Sequence, residues 1–348
     1  MTTLSSASGR EGAPRATMRD VAALAEVSLK TVSRVVNGEP GVRPELASRV
    51  TRAAEELHYR PNLTASSLRR ADGRTATIGL LVDDVANPFF ADIHRGVEDV
   101  ARERGVAVMA ASLDRRHDLE AEIVGRFASR RVDGLLLVPT ATDQSYLATE
   151  RRSGWPVVCV DRLPVGVEID AVLSDNREAS ERAVRHLISF GHRRIGMLCD
   201  ETTLMTARER LAGYREAMNQ AGLDVDPSWI RVDVDSLDRS DAAVRDMMRT
   251  PDAPTAIFAA QNYVTMGACR ALHHAGREHE IALVGFDDFP MADVLDPGVS
   301  VVVQDARRMG NIAAEALFDR MDGMTSEPMT HIVGSTLTPR GSGEIPPA

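Results

Sequence analysis

From Thr77 onward the chain repeats one pattern, a short apolar run followed by a longer amphipathic segment. The runs are TIGLLV, VAVMAA, GLLLVP, VVCV, RIGMLC, TAIFAA, IALVGF and VSVVV. Runs this apolar and this rich in β-branched residues suit strands covered on both faces. Strands separated by helices pair in parallel through right-handed crossovers. There are too many runs for one comfortable sheet, so the pattern predicts two α/β subdomains. Open parallel sheets bind ligands beyond the carboxyl ends of their strands. The expected ligand site is therefore the cleft between the subdomains.

Composition narrows the remaining choices. At 43% hydrophobic residues over 348, the chain can bury a sizeable core and is not a disordered protein. No run approaches the ~18 apolar residues of a membrane span, and residues 1–16 (MTTLSSASGREGAPRA) lack a signal-peptide core. Cys159, Cys199 and Cys269 lie far apart in apolar segments. That spacing supports neither a disulfide framework nor a CxxC metal site, and it points to a reduced, cytoplasmic compartment. The net charge of −10 is unevenly spread. Residues 1–74 carry 12 Lys and Arg against 8 Asp and Glu, and the rest carry 29 against 43. A basic end on an acidic body suggests a small anion-binding module joined to a second function.

Residues 17–61 read as three short helices. Thr17 is the expected N-cap of the first, residues 18–25, and Glu26-Val27-Ser28 is the turn. A second helix spans 29–37 and stops at Gly38. A third starts at Pro44, where proline sacrifices no internal hydrogen bond, and ends near His58, with Leu46, Val50, Ala53 and Leu57 on one stripe. On the second helix Val32, Val35 and Val36 face inward, which turns Leu29, Lys30, Ser33, Arg34 and Asn37 outward. An exposed helix carrying donors suits the major groove. Ser28, Thr31, Ser33 and Asn37 are short polar groups able to reach phosphates. A packed hairpin with a solvated face would share the generic spacing, but VSLKTVSRVVNG is more specific than that.

Those residues, with VRPELASRVTRAAEELHYRPN and the ASSL segment, resemble the DNA-binding headpiece of the lactose-repressor (LacI/GalR) family of bacterial transcriptional regulators. IGLLVDDVANPFFADIHRGVEDVARERG, VDGLLLVP, HLISFGHRRIGML, RERLAGY and IALVGFDD resemble its ligand-binding core, so the resemblance covers residues 17–342. It implies a helix-turn-helix headpiece, a hinge helix and a periplasmic-binding-protein-like core of two α/β subdomains. It also implies a homodimer on a pseudo-palindromic operator and a small-molecule effector, a sugar by default. Leu29, Lys30 and Arg34 match the positions that read bases. Thr17 and Tyr59 join the DNA-facing set, with Asn62, Ala65 and Leu68 of the hinge. Leu68 matches a leucine wedged into the minor groove, a known device for unstacking a base step.

For the effector the resemblance implicates Asn87, Phe89 and Phe90 after the first strand, together with Arg210 and Asp287. Exposed rings at Phe89 and Phe90 could stack on the C–H face of a sugar. An Arg/Asp pair facing the cleft would offer a polyhydroxyl ligand donors and acceptors. Asp161, after VVCV, is a further candidate. Each has a competing structural role: the phenylalanines as core, Arg210 paired internally, and Asp287 or Asp288 as a helix cap. The chain departs from the family after TAIFAA, where Asn-Asp is usual and Gln261-Asn262-Tyr263 stands here, so a carboxylate is lost from the pocket and bulk is gained. The expected plan is a tail to residue 16, the headpiece over 17–61, the hinge and linker over 62–76 and the core over 77–342. Within the core, 77–174 and 306–331 form one subdomain, and 175–305 and 332–342 the other; residues 343–348 read as a tail. No GxxxxGK, GxGxxG, HExxH or GxSxG occurs, so neither an enzyme nor a cofactor is expected. His273, His274 and His279 read as a solvated face rather than a metal site. A periplasmic-type sugar receptor, the rival reading, would need a secretory signal and no headpiece.

Overall fold

The structure, a computed structural model, describes residues 16–36, 39–60 and 73–348. It divides into two compact units at Thr75/Ala76. The expected tail, Asn37, and the hinge residues Asn62, Ala65 and Leu68 lie outside the described residues.

In the first unit, α1 (Met18–Leu24) begins in a reciprocal cap. The Thr17 hydroxyl accepts from the Asp20 amide, and the Asp20 carboxylate accepts from the Thr17 amide at 2.7 Å. This pairing satisfies two amides that a helix start would leave unbonded. Next come α2 (Leu29–Val36) and α3 (Pro44–Glu56), whose first residue is the expected proline. Val21, Ala25, Val32, Val50 and Ala53 form the small core, with Val35, Val36, Leu57 and Tyr59 packed around it.

The second unit holds two six-stranded sheets. The first contains β1 (Thr77–Val82), β2 (Ala107–Ser112), β3 (Leu135–Leu137), β4 (Val157–Val160), β5 (Ala171–Ser174) and β11 (Thr330–Val333). Its order is β11-β5-β4-β3-β1-β2, parallel throughout. The second contains β6 (Ile195–Leu198), β7 (Ile230–Arg231), β8 (Ala256–Ala259), β9 (Ala282–Phe286), β10 (Ser300–Val303) and β12 (Thr336–Thr338). Its order is β12-β10-β9-β8-β6-β7, with only β12 antiparallel. Every one of the eight apolar runs contains a strand. Helices cover the sheets, and the helix at Ala306–Met321 returns to the first subdomain to pack on the one at Pro88–Glu103. Their backbones touch at glycines: a Cβ on Gly310 would stand 2.2 Å from the Ile93 carbonyl oxygen.

Two boundaries differ from expectation. The crossing placed at 331/332 falls at Gly334–Ser335, because β11 pairs along its whole length with β5 of the first sheet. Residues 343–345 are docked rather than loose. The Gly343 amide donates to Ser300 Oγ, the Glu344 carboxylate accepts from the same hydroxyl, and a ring nitrogen of buried His192 bonds the Ile345 carbonyl at 2.7 Å. No helix among the described residues is long and apolar enough to cross a membrane.

Candidate functional site

On the headpiece, burying Val32 turns Leu29 and Lys30 to the exposed face of α2. Ser28 and Thr31 are hydrogen-bonded to each other at 2.9 Å, and Ser28 Oγ also accepts from the Thr31 amide. Arg34 is also outward, its side chain 37% exposed, but it is engaged there. Its guanidinium donates to the Pro40 carbonyl and pairs with Glu39, so it braces the following loop. Thr17 serves as the cap described above. Tyr59 packs against the headpiece core, and Ser33 is half-buried.

In the second unit a cavity of about 90 Å3 opens between the subdomains. Asn87, Phe89, Phe90, Asp161, Arg210, Gln261, Tyr263 and Asp287 all line it. Asn87, Asp161, Gln261 and Asp287 follow strand ends, whereas Phe89, Phe90, Arg210 and Tyr263 project from the helices Pro88–Glu103, Met205–Gln220 and Asn262–Ala275. Asn87 caps the helix after β1, its side chain accepting from the Phe89 amide. Asp161 and Asp287 leave the ends of β4 and β9 with φ of +70° and +67°. Aspartate is among the few side chains tolerating this left-handed conformation, and strained backbone of this kind gathers at functional sites. Arg210 is buried, donating to Asn176 Oδ1 at 2.7 Å and to the Ala260 carbonyl at 2.8 Å. It lies 3.6 Å from the Asp287 carboxylate and stacks 3.8 Å from the centre of the Phe286 ring. Internal pairing and cavity exposure therefore coexist in one side chain.

Electrostatics favour a ligand that donates hydrogen bonds. Burial pushes the Asp161 carboxyl above its ordinary range, against the pull of Arg162 and Arg210. It does the same to Asp287, against Arg210 and Gln304. Asp161 Oδ1 is buried with no partner among the described residues, and an unsatisfied acceptor of this kind is costly until a donor arrives.

Three expectations are corrected. Phe89 and Phe90 are not exposed platforms; at 8% and 6% exposure they belong to the first subdomain's core, packed edge to face on each other, while still lining the cavity. Asn262 does not line the cavity. It is fully buried and exchanges two amide hydrogen bonds with Asn87, at 2.7 and 3.1 Å. The departure from Asn-Asp does not leave the pocket short of carboxylates, because Asp83, Asp84, Asp200 and Asp235 also face it. Together with Arg115 and Arg162, these residues were not anticipated. The signal was present, since Asp83-Asp84 and Asp200 follow directly, or by one residue, the ends of β1 and β6, where open parallel sheets place ligands.

A helical headpiece joined to a core of two parallel-sheet subdomains, with a polar cavity between them, defines a DNA-binding module coupled to a small-molecule receptor. Family comparison agrees. Residues 17–62 match the model for bacterial regulatory proteins of the lacI family, and residues 75–332 that for periplasmic binding proteins and the sugar-binding domain of the LacI family. The chain belongs to the LacI family. It is 36% identical to the HTH-type transcriptional regulator CelR of Thermobifida fusca over 341 residues, covering 94% of this chain and 98% of that one. It is 32% identical to the ribose operon repressor of Escherichia coli K12 over 331 residues, covering 94% and 99%. A solved structure of the transcriptional regulator CelR–cellobiose complex superposes with a TM-score of 0.69 at 35% identity, covering 94% of this chain and 100% of that one.

Proposed function

We propose that the chain is a cytoplasmic, sequence-specific transcriptional regulator of the repressor type, and not an enzyme. Its occupancy of operator DNA is set by a sugar or sugar derivative in the cleft. The observation that carries this reading is the convergence of Asp161, Arg210 and Asp287 on one buried cavity, in a chain that also carries a helix-turn-helix headpiece. Buried carboxylates with spare acceptor capacity, beside a held guanidinium, suit hydroxyl groups at defined geometry. A transport receptor sharing the core would have no use for residues 17–60.

Leu29 and Lys30 read bases in the major groove, Ser28, Thr31, Ser33 and Asn37 set register on phosphates, and Thr17 and Tyr59 support that surface. Arg34 reads bases beside Leu29 and Lys30, from a guanidinium that in the free headpiece pairs with Glu39 and the Pro40 carbonyl. Asn62, Ala65 and Leu68 engage the operator centre. The working unit is a homodimer on a pseudo-palindromic site. A ligand touching Asp161 of one subdomain and Arg210 and Asp287 of the other binds the closed cleft better than an open one. It shifts the population toward closure and so changes operator affinity, and by linkage operator DNA changes sugar affinity by the same factor. The test is selection of DNA from random sequence by the purified protein, with and without a panel of sugars. A palindromic consensus whose recovery changes with one sugar is expected. Recovery of no consensus, or indifference to every sugar, overturns the proposal.

A further inference from the structure

The cleft is closed by side chains that reach across it. The Tyr263 hydroxyl of the second subdomain donates to Asp84 of the first at 3.1 Å. Burial and the Asp84 charge together push the phenol up to about 12, so it stays a donor through the physiological range. One strand further along each sheet, Arg115 of the first subdomain donates to both oxygens of Asp200, at 2.6 and 3.4 Å, and to Glu201. Asn87 and Asn262 add the amide exchange already described. The space enclosed, about 90 Å3, holds roughly seven water-sized groups. That is fewer than the non-hydrogen atoms of one sugar ring, so even a single ring enters only as the cleft widens, and a second ring needs still more room where the Tyr263 side chain lines the wall.

Charge adds a second restriction. Six aspartates face the cavity against three arginines. Each arginine is already engaged: Arg115 with Asp200, Arg162 with Asp83 and the Pro139 carbonyl, and Arg210 with Asn176, the Ala260 carbonyl and Asp287. An incoming phosphate would meet surplus negative charge, because each guanidinium it could approach already sits beside a carboxylate. Like-charge juxtaposition at close range strongly disfavours such a ligand.

We infer that Tyr263 sets the upper size of the effector and the carboxylate surplus sets its charge: the cleft takes a single-ring, uncharged polyol and refuses two-ring and phosphorylated sugars. The inference rests on the reading of the cleft as the effector site, and it separates this chain from a relative solved with cellobiose.

Calorimetry and thermal shift of the full chain test it, using free pentoses and hexoses, cellobiose and glucose 6-phosphate as probes. At least one free monosaccharide is expected to bind, with cellobiose and glucose 6-phosphate each about 100-fold weaker or worse. Tyr263→Ser, which empties the place of the ring, is expected to narrow the gap between the monosaccharide and cellobiose by about 10-fold or more. Tyr263→Phe keeps the ring and is expected to preserve the gap. Wild-type protein that binds cellobiose or glucose 6-phosphate as tightly as any monosaccharide overturns the size or charge limit and leaves the effector reading standing. Protein that binds none of the probes overturns both. An unchanged gap in Tyr263→Ser removes the role of Tyr263, while the wild-type panel decides the limits without any variant.

Discussion

Arg210 is the residue where fold and ligand chemistry are hardest to separate, and Arg210→Ala exposes how they are joined. Truncation leaves Asn176 Oδ1 and the Ala260 carbonyl without the donors they now have, and leaves the Asp287 carboxylate buried with only Gln304 beside it. Breaking a buried charge pair from one side costs about 3–5 kcal/mol, a large part of the ~5–15 kcal/mol that holds a typical domain folded. Asp287→Ala should cost less, about 1–3 kcal/mol, because the guanidinium keeps both of its other bonds. The double variant leaves no orphaned charge. It should therefore cost about 1–3 kcal/mol less than the sum of the two single variants. The pH dependence has a definite sign. Burial already holds the Asp287 carboxyl above its unfolded range, and loss of Arg210 raises it further. A folded pKa above the unfolded one means that the native state binds the extra proton, so stability is present at low pH and lost as pH rises through the folded value. Arg210→Ala should therefore recover stability relative to wild type between pH 7 and pH 5. Urea denaturation read by Trp155 and Trp229 emission, one indole in each subdomain, measures all of this. Strictly additive costs, or a deficit that does not shrink on acidification, would refute the pairing. In surviving folded protein, sugar affinity should fall at least tenfold with operator affinity unchanged.

The other perturbations probe the frame and the headpiece. Gly310→Ala places a methyl 2.2 Å from the Ile93 carbonyl oxygen and should lower stability by about 1–3 kcal/mol. Gly125→Ala, on an exposed helix face with nothing within 4 Å, should raise it by about 0.5–1 kcal/mol; equal thermal melts for the two would contradict the close helix approach. His192 is buried between Thr255 and the Ile345 carbonyl, and burial depresses its pKa despite the carbonyl bond. The unfolded state then takes up the proton first, so stability should fall as pH drops below the ordinary histidine range, and His192→Gln should flatten that part of the melting profile. Lys30→Ala should cost about 1–3 kcal/mol of operator affinity and relax preference at one half-site position, which selection from random DNA would detect; an unchanged consensus would remove Lys30 from base reading.

The long-range pattern made the core legible and left its edges hidden. Continuous apolar runs such as TIGLLV and IALVGF mark central strands because both faces need cover, and each became one. β11, with the mixed exposure of THIV, and the two-residue β7 carry no such signature, since a strand at the border of a sheet need not be apolar on both faces. That is also why the last crossing was placed too early. In the cavity, Asp161, Arg210 and Asp287 were readable from position after strands or from resemblance. Arg115 was not: it stands three residues beyond β2 in a loop, and only the folded chain shows that its partner is Asp200, 85 residues away. The burial of Phe89 and Phe90 was equally invisible, because an aromatic pair at a helix start reads the same whether it faces solvent or core.

The chain passes between the subdomains at three places: residues 174–176, 303–306 and 333–336. Any rotation that opens or closes the cleft must be absorbed there, because elsewhere the two sheets are separately packed. Two of the crossings are tied together. Asp175 accepts from the Ser335 amide at 2.9 Å and from its hydroxyl at 2.7 Å, and Arg182 donates to both residues. The remaining crossing carries Gln304, whose amide donates to Asp287 in the cavity. A ligand that engages Asp287 therefore acts one hydrogen bond from a segment that must bend, while the other two crossings bend as a bonded pair. Among the described residues the buried amide oxygen of Gln304 has no partner, so the bond to Asp287 orients its side chain. On the proposed reading of the cleft, charge, position and the path of the chain converge on Asp287 as the place where occupancy would become a change in the angle between subdomains.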